Sequence, residues 1–439
     1  MNGSDRRPNP ACPRPAARDS LYTPVQVVEL DLEAPGELRS PGGQAPTGPD
    51  GRVLALVRLR GHPLGLVTAS GAPGDRAGLC RLLVDAAHRE LAHQAAQPAD
   101  LPASSAARAA AVPPGPAAAP PLISVIVATH NRVDQLQLCL DSLLRGDYPR
   151  HELIVVDNAP SSDDARTLVR TRYPSQVRYL REPVAGLARA HNRALAAARG
   201  TICAFTDDDT LADPGWLAAL ARTFAADPRV GCVTGLVLPA ELQTPAQAAQ
   251  ERLCGFTKGF RPASWSLARP PRDPLFPFTA GSFGTGANMA FRTAALRGMG
   301  GFDPATGVGT PAKGGDDLLA FFRTLAAGWT LAYQPEALIW HRHQRRSAAV
   351  VNQAFGYGAG CGAFLLAALA AEPGMLPALV RRLPGGVRHA LRRRTRYQQA
   401  ASPGVEPTGD TLVRQELRGL AYGPFGYLRS RARELRIEA

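Results

Sequence analysis

The chain has 439 residues, with 50 Lys and Arg against 37 Asp and Glu, and a formal net charge of +13. That length suits one large domain with appendages, or two to three modules. Seven cysteines, none in a Cys-x-x-Cys spacing, indicate neither a zinc site nor a disulfide framework. The basic excess is almost all arginine, Lys258 and Lys313 being the only lysines, in a chain rich in Ala, Gly and Pro. It therefore reads as compositional bias and not as a nucleic-acid footprint. Several cysteines sit inside apolar periods, which suits buried thiols in a reducing cytosol.

Residues 1–20 hold too much Pro, Arg and polar character to fold alone and are expected to be disordered. Over 21–96 the pattern changes to a small α+β module. Strands are predicted at 25–30, 53–59 and 64–67, and a helix at 76–95 with Leu79, Leu82, Leu83 and Ala86 on one face. The Ala- and Pro-rich stretch 97–120 reads as a semi-rigid linker. From 121 to 345 a larger α/β domain is expected.

In that domain strands at 123–129, 153–156, 177–180 and 201–206 alternate with helices at 133–144, from 161–164 to 173, and 186–198, the last closed by Gly200. Such alternation predicts a parallel sheet with right-handed crossovers. A helix at 214–226 with Pro214 in its first turn and a strand at 230–237 follow. Residues 240–283 lack a clear period and read as a long functional loop. A short strand over 289–292 comes next, then a helix over 318–327 opened by Gly314-Gly315-Asp316-Asp317, and a last pair of strands at 331–333 and 337–340 before His341-Arg342-His343.

The tail, 346–439, is predicted to be helical and basic. Its longest uninterrupted apolar run, Ala363 to Ala371, is short of the ~20 residues needed to span a bilayer. No apolar signal core is seen at the N-terminus. The expectation is a cytoplasmic protein, with a peripheral contact on the inner face of the plasma membrane through the basic amphipathic stretch 375–396.

Three strands end in polar clusters: Thr129-His130-Asn131-Arg132, Asp157-Asn158 and Asp207-Asp208-Asp209. Strand ends of a parallel sheet share one edge, where open α/β folds bind ligands. Three adjacent carboxylates repel one another, and a divalent cation is what would hold them together, because hard cations take carboxylate oxygens. The bland alternative is a solvated turn. For Asp316-Asp317 the bland alternative is a helix start, where acids suit the dipole.

The stretch 123–343 resembles the inverting, family 2 nucleotide-sugar glycosyltransferases of the GT-A fold. The segments that carry the resemblance are VIVATHNR, ELIVVDN, GLARAHN, AFTDDD, GTGANMAFR with GGFD, GGDDLLAF and WHRH, in that order, over about half the chain. The fold class implied is α/β, a Rossmann-like, mostly parallel central sheet, here with the small N-terminal module and the helical basic tail. The resemblance implies an inverting transfer of a sugar from a nucleotide-diphosphate donor to an acceptor hydroxyl. It further implies products such as cell-surface polysaccharide, glycolipid or glycosylated metabolite.

Site roles follow from the same resemblance. Thr129, Asn131, Arg132 and Asp157 would hold the nucleotide. Where the family often has Ala-Arg-Asn this chain has Ala190-His191-Asn192, so His191 replaces the usual arginine or Arg189 does its work; Arg189, His191 and Asn192, with Asp207 and Asp208, would face the nucleotide sugar. Asp207, Asp209 and His341 would hold Mg²⁺ or Mn²⁺ on the diphosphate. Asp317, or its neighbour Asp316, would be the catalytic base.

Elementary chemistry agrees with these roles. A diphosphate leaving group gains negative charge that a cation offsets. The acceptor hydroxyl needs a positioned carboxylate to take its proton. Two rival readings are a sugar-nucleotide nucleotidyltransferase and a non-enzymatic basic protein on membrane or nucleic acid. The first should carry a Gly-rich loop after the first strand, where this chain has His130-Asn131-Arg132-Val133-Asp134. The second predicts no convergence of acids, and converging acids would repel a polyanion, so no nucleic-acid partner is expected.

Overall fold

Two sheets hold all the strands of the structure, a computed structural model that describes residues 24–42, 48, 51–95, 119–254, 256–382 and 408–438. The expected disordered stretch 1–20, the linker over 97–118 and most of the basic stretch, 383–396, lie outside the described residues.

The smaller sheet contains β1 (Gln26–Asp31), β2 (Leu38–Arg39), β3 (Gly51–Leu59) and β4 (His62–Gly71), in the order β2-β1-β3-β4. Arg60 and Gly61 join β3 to β4 with φ of 52° and 77°. Two residues of positive φ match the twist of an antiparallel hairpin. Helix α1 (Arg76–Ala95) lays Leu79, Leu83, Ala86 and Leu91 on one face of this sheet. The opposite face packs Val27 and Leu56 against Leu236, Leu338 and Trp340 of the larger sheet. Arg58 ties the two together: its Nε donates to Glu29 at 2.7 Å, and a second guanidinium nitrogen pairs with Asp213.

The larger sheet is built from β5 (Ile123–Thr129), β6 (His151–Asn158), β7 (Val177–Glu182), β8 (Ile202–Asp207), β9 (Thr210–Ala212), β10 (Val230–Pro239), β11 (Ala263–Trp265), β12 (Met289–Arg292) and β13 (Thr330–His341). Its order is β11-β13-β10-β12-β8-β5-β6-β7, with β9 beside β13. β5, β6, β7 and β8 are mutually parallel, β12 runs antiparallel between β8 and β10, and β10 is parallel to β13. Ile126 and Phe205 point into one core, while Val125, Val127 and Ala204 point into the other. Both faces are covered, so the strands read as unbroken apolar runs and not as alternation.

The helices of this part are α2 (Val133–Leu143), α3 (Asp164–Arg172), α4 (Leu187–Ala197), α5 (Trp216–Ala226), α6 (Pro245–Cys254), α7 (Thr293–Gly298) and α8 (Asp316–Ala326). Two long helices follow, α9 (Ser347–Ala371) and α10 (Gly409–Glu438). They cross with backbones in contact: a Cβ on Gly358 would strike the Glu416 carbonyl, and one on Gly423 the Ala359 carbonyl. Cys80, Cys139, Cys203 and Cys232 are buried free thiols.

Several expectations are corrected. The stretch 240–283 contains α6 and β11. Thr244-Pro245-Ala246-Gln247 is a capping box: Gln247 N–H donates to Thr244 Oγ1 at 3.3 Å, and Thr244 N–H donates to Gln247 Oε1 at 3.1 Å. The last pair of strands is one strand, β13, which crosses Pro335 through a register shift opposite Gly235 and Leu236. Helix α5 begins after Pro214, with Gly215 as its N-cap. Gly200 does not cap α4; Ala198 does, in extended conformation, and Gly200 is small because its Cβ would sit 2.5 Å from the Ser124 nitrogen. Helix α9 has 25 residues and is long and apolar enough to cross a membrane, the one such helix among the described residues. Gly356, Gly358, Gly360 and Gly362 divide its apolar residues into short runs, which is why the run ending at Ala371 looked too short. Its Ala363, Phe364 and Ala367 belong to the core beside α8.

Candidate active site

The three polar clusters converge. Thr129 stands opposite Asp157 across β5 and β6, and Ala128 opposite Asp207 across β5 and β8. Thr129 Oγ1 donates to Asp208 Oδ2 at 2.7 Å. Arg132 Nη1 reaches Asp208 Oδ1 and Asp209 Oδ2, each at 3.1 Å. Thr129 and Arg132 therefore hold the acids. Asp208, the middle one, is buried and is the acid most fully bonded by the protein.

One guanidinium does not neutralise three carboxylates. Burial, then the charges of Asp209, Asp208 and Asp316, push Asp207 well above the usual carboxylate range. Burial pushes Asp208 up to about 6 despite Arg132. Such a cluster is short of positive charge.

Asp207, Asp209 and His341 each offer a ligand atom, all within 4.8 Å of one another. Asp209 Oδ1 is buried without a hydrogen-bond partner and lies 3.4 Å from His341 Nε2. Burial lowers the pKa of His341, which keeps its ring neutral. Its tautomer is tied to two residues behind it. Glu251 Oε2 accepts from His343 Nε2–H at 2.7 Å. In the tautomer where His341 supplies the proton of the 2.9 Å contact between the two Nδ1 atoms, His343 Nδ1 is the acceptor. That leaves a lone pair on His341 Nε2 facing the lone pair of Asp209 Oδ1. Two carboxylates and an imidazole lone pair converging on one point fit a divalent cation.

The second acid pair opens α8. Asp316 is 5% exposed, and its Oδ2 lies 3.7 Å from His191 Nδ1. Burial, with the neighbouring Asp317, pushes Asp316 up to about 7. Asp317 keeps solvent access and accepts from the N–H groups of Gly286 at 2.9 Å and Leu318 at 2.8 Å. Burial also raises Asp317. His191 packs on Phe205 of β8 and lies against Asp316, and Asp317 bonds the N–H of Gly286, next to Ala287, whose carbonyl accepts from Thr206 of β8 at 2.8 Å, so the acid pair stands beside the end of β8.

Other predicted residues serve the frame around it. His191 is wedged between Phe205 and Phe302, ring centroids 5.0 Å from each, and burial lowers it to about 3. Asn192 clamps Phe302 with both ends of its amide at 2.8 Å, holding the Gly301-Phe302-Asp303 loop. Arg189 is paired with Glu434 of α10. Asn131, at φ 55°, accepts through Oδ1 from Ser161 N–H at 3.0 Å and so joins the ends of β5 and β6. Asp157 Oδ2 accepts from Tyr179 O–H at 2.8 Å, whereas its buried Oδ1 has no partner.

Sequence reasoning gives no role to Glu251, Tyr179, Glu434 or His343. The capping box of α6 was the one available signal for Glu251. His343 stands in the WHRH segment, and nothing local marks Tyr179 or Glu434.

A family model described as "Glycosyltransferase like family 2" matches residues 120–356. An uncharacterized protein of Mycobacterium tuberculosis is 40% identical over 114 residues, 26% of this chain and 35% of that protein. A pre-mycofactocin glycosyltransferase of the same species is 29% identical over 228 residues, 51% of this chain and 43% of that one. The chain thus spans less than half the length of these two relatives. Among solved structures, a mannosyltransferase of Pyrobaculum calidifontis in complex with GDP-Man and Mn²⁺ is similar at 22% identity and a TM-score of 0.41, covering 76% of this chain and 93% of that one.

Proposed function

This chain belongs to glycosyltransferase family 2 and has the GT-A fold of that family, and from that premise we propose that it is an inverting, divalent-metal-dependent transferase acting from a nucleotide-diphosphate sugar onto an acceptor hydroxyl. The observation that carries the reading is the cluster of Asp207, Asp209 and His341 at the end of β8 with the Asp316–Asp317 pair, at the start of α8, beside it.

In this reading Asp207, Asp209 and His341 hold Mg²⁺ or Mn²⁺. The cation supplies positive charge for the departing diphosphate. Asp157 Oδ1, a buried acceptor lacking a donor, takes an N–H of the nucleobase. Tyr179 fixes that carboxylate from the other side. Thr129 and Arg132 keep Asp208 and Asp209 in place when no nucleotide is present.

Asp317 takes the proton of the acceptor hydroxyl. Two backbone N–H groups orient its carboxylate while it stays open to solvent. Asp316, turned toward His191 and buried, sets the charge of the pair. A single base carboxylate serves direct displacement, in which the acceptor oxygen bonds the anomeric carbon as the diphosphate oxygen leaves from the opposite face. No second carboxylate is needed as nucleophile, and the product anomer is inverted.

The test is a hydrolysis and binding screen over UDP-, GDP- and dTDP-sugars with Mn²⁺. One donor class should be hydrolysed slowly and should raise the melting temperature only with metal. Asp317→Asn should keep that shift and lose turnover, and Asp209→Ala should lose the shift. Normal turnover by Asp317→Asn, with loss in Asp316→Asn, would move the base to Asp316.

A further inference from the structure

Helix α10 has two unlike faces. The inner one is committed to the protein. Gly419 and Gly423 meet the backbone of α9. Tyr427 O–H donates to Asp303 Oδ2 at 2.9 Å, and Arg433 donates to the Ala185 carbonyl at 3.3 Å. Glu434 is paired with Arg189. These contacts fix the roll of the helix.

The outer face carries exposed apolar side chains. Leu417, Phe425, Leu428 and Leu435 are 46%, 60%, 59% and 64% exposed. At about 100° per residue, Leu417, Leu428 and Leu435 fall within about 20° of one line, and at about 1.5 Å per residue the stripe runs about 27 Å. Phe425 lies beside it. Arg418, Arg429 and Arg436 border it on one side and Arg431 on the other, all exposed.

We propose that this face of α10 lies on an anionic lipid bilayer, with Leu417, Phe425, Leu428 and Leu435 among the upper acyl chains and the bordering arginines at the phosphate level. An apolar stripe edged with arginines is the pattern of a helix lying in the plane of an anionic interface. A polyanion without apolar groups would leave the stripe in water. A second copy of the chain, packed on the same face by two-fold symmetry, would bring arginine against arginine. The surface is separate from the donor chemistry. It does reach the site, because the same helix holds Arg189 through Glu434.

The test is co-sedimentation of the full chain with vesicles of phosphatidylglycerol and phosphatidylcholine in equal parts, against pure phosphatidylcholine. The protein should pellet with the anionic vesicles and not with the neutral ones. The double variant Phe425→Ser/Leu428→Ser should lower partitioning at least about tenfold. Arg429→Gln and Arg436→Gln should each lower it about fivefold. Unchanged melting temperatures will show that these exposed substitutions leave the fold intact. The proposal is overturned if the chain does not pellet, or if pelleting is the same in the apolar and arginine variants. It is also overturned if the apolar double variant instead abolishes dimerisation or binding to duplex DNA.

Discussion

Replacing Glu251 with Leu tests the site from behind. The side chain does not touch Asp207, Asp209 or the space between them; it reaches them only through His343 and His341. Leu removes the acceptor that keeps the His343 proton on Nε2. With that proton free to move to Nδ1, His341 loses its own acceptor and is no longer held with its Nε2 lone pair toward Asp209.

The size of the effect can be bounded in two ways. A hydrogen bond to a charged group, such as the 2.7 Å bond here, contributes about 1.5–3 kcal/mol. Residues that orient a metal ligand cost about tenfold to a hundredfold in metal affinity when removed, which is about 1.4–2.7 kcal/mol. The two ranges overlap. Glu251→Leu should therefore weaken Mn²⁺ at least about tenfold, read as free Mn²⁺ by electron paramagnetic resonance. Glu251→Gln keeps an acceptor oxygen and should lose much less. His341→Ala, which removes a ligand, should be the weakest binder. If Glu251→Leu binds Mn²⁺ like the parent while His341→Ala does not, the orienting role of the His343–Glu251 pair is refuted.

Two further predictions concern buried polar groups. The folded state holds the Asp316 proton up to about 7, against about 3.9 for an unfolded aspartate. The folded chain thus binds the extra proton, and the contribution of Asp316 to metal-free stability should fall as pH rises from about 4 through about 7. His191 and His341, lowered by burial, pull the other way, so the readout in EDTA is the parent against Asp316→Asn: from pH 5 to pH 8 the parent should lose more melting temperature, or gain less, than the variant, and identical changes would contradict the assignment. Asn288 accepts from Trp216 Nε1–H at 2.9 Å and donates to the carbonyls of Leu236 at 2.9 Å and Ala337 at 2.7 Å. It thereby fills the register shift between β10 and β13. Asn288→Ala leaves those buried groups unpaired and should cost about 3 kcal/mol in urea unfolding, whereas a loss under about 1 kcal/mol would mean that water replaces the amide.

The order of strands and helices was legible because each carries a local signal. β5 and β8 are short β-branched or apolar runs, and α1 and α8 have apolar stripes. The acids at the end of β8 and the start of α8 were legible as well, since like charges placed side by side at strand and helix ends have a recognisable chemistry. The parallel alternation up to β8 then required that the first three polar clusters share an edge.

What the sequence could not decide was everything set by contacts between distant segments. Asn192 and Arg189 lie on the same helix start as His191, yet one clamps the Phe302 loop and the other binds Glu434, 245 residues away. Neither assignment has a local cause. The antiparallel place of β12, the merging of two predicted strands into β13, and the chain from Glu251 through His343 to His341 likewise depend on packing. The sequence by itself determined that carboxylates stand at the sheet edge, because backbone periodicity places strand ends. Only the tertiary structure decided which of them face an unsatisfied lone pair and which are already bonded, because that depends on side chains brought within about 3 Å by folding.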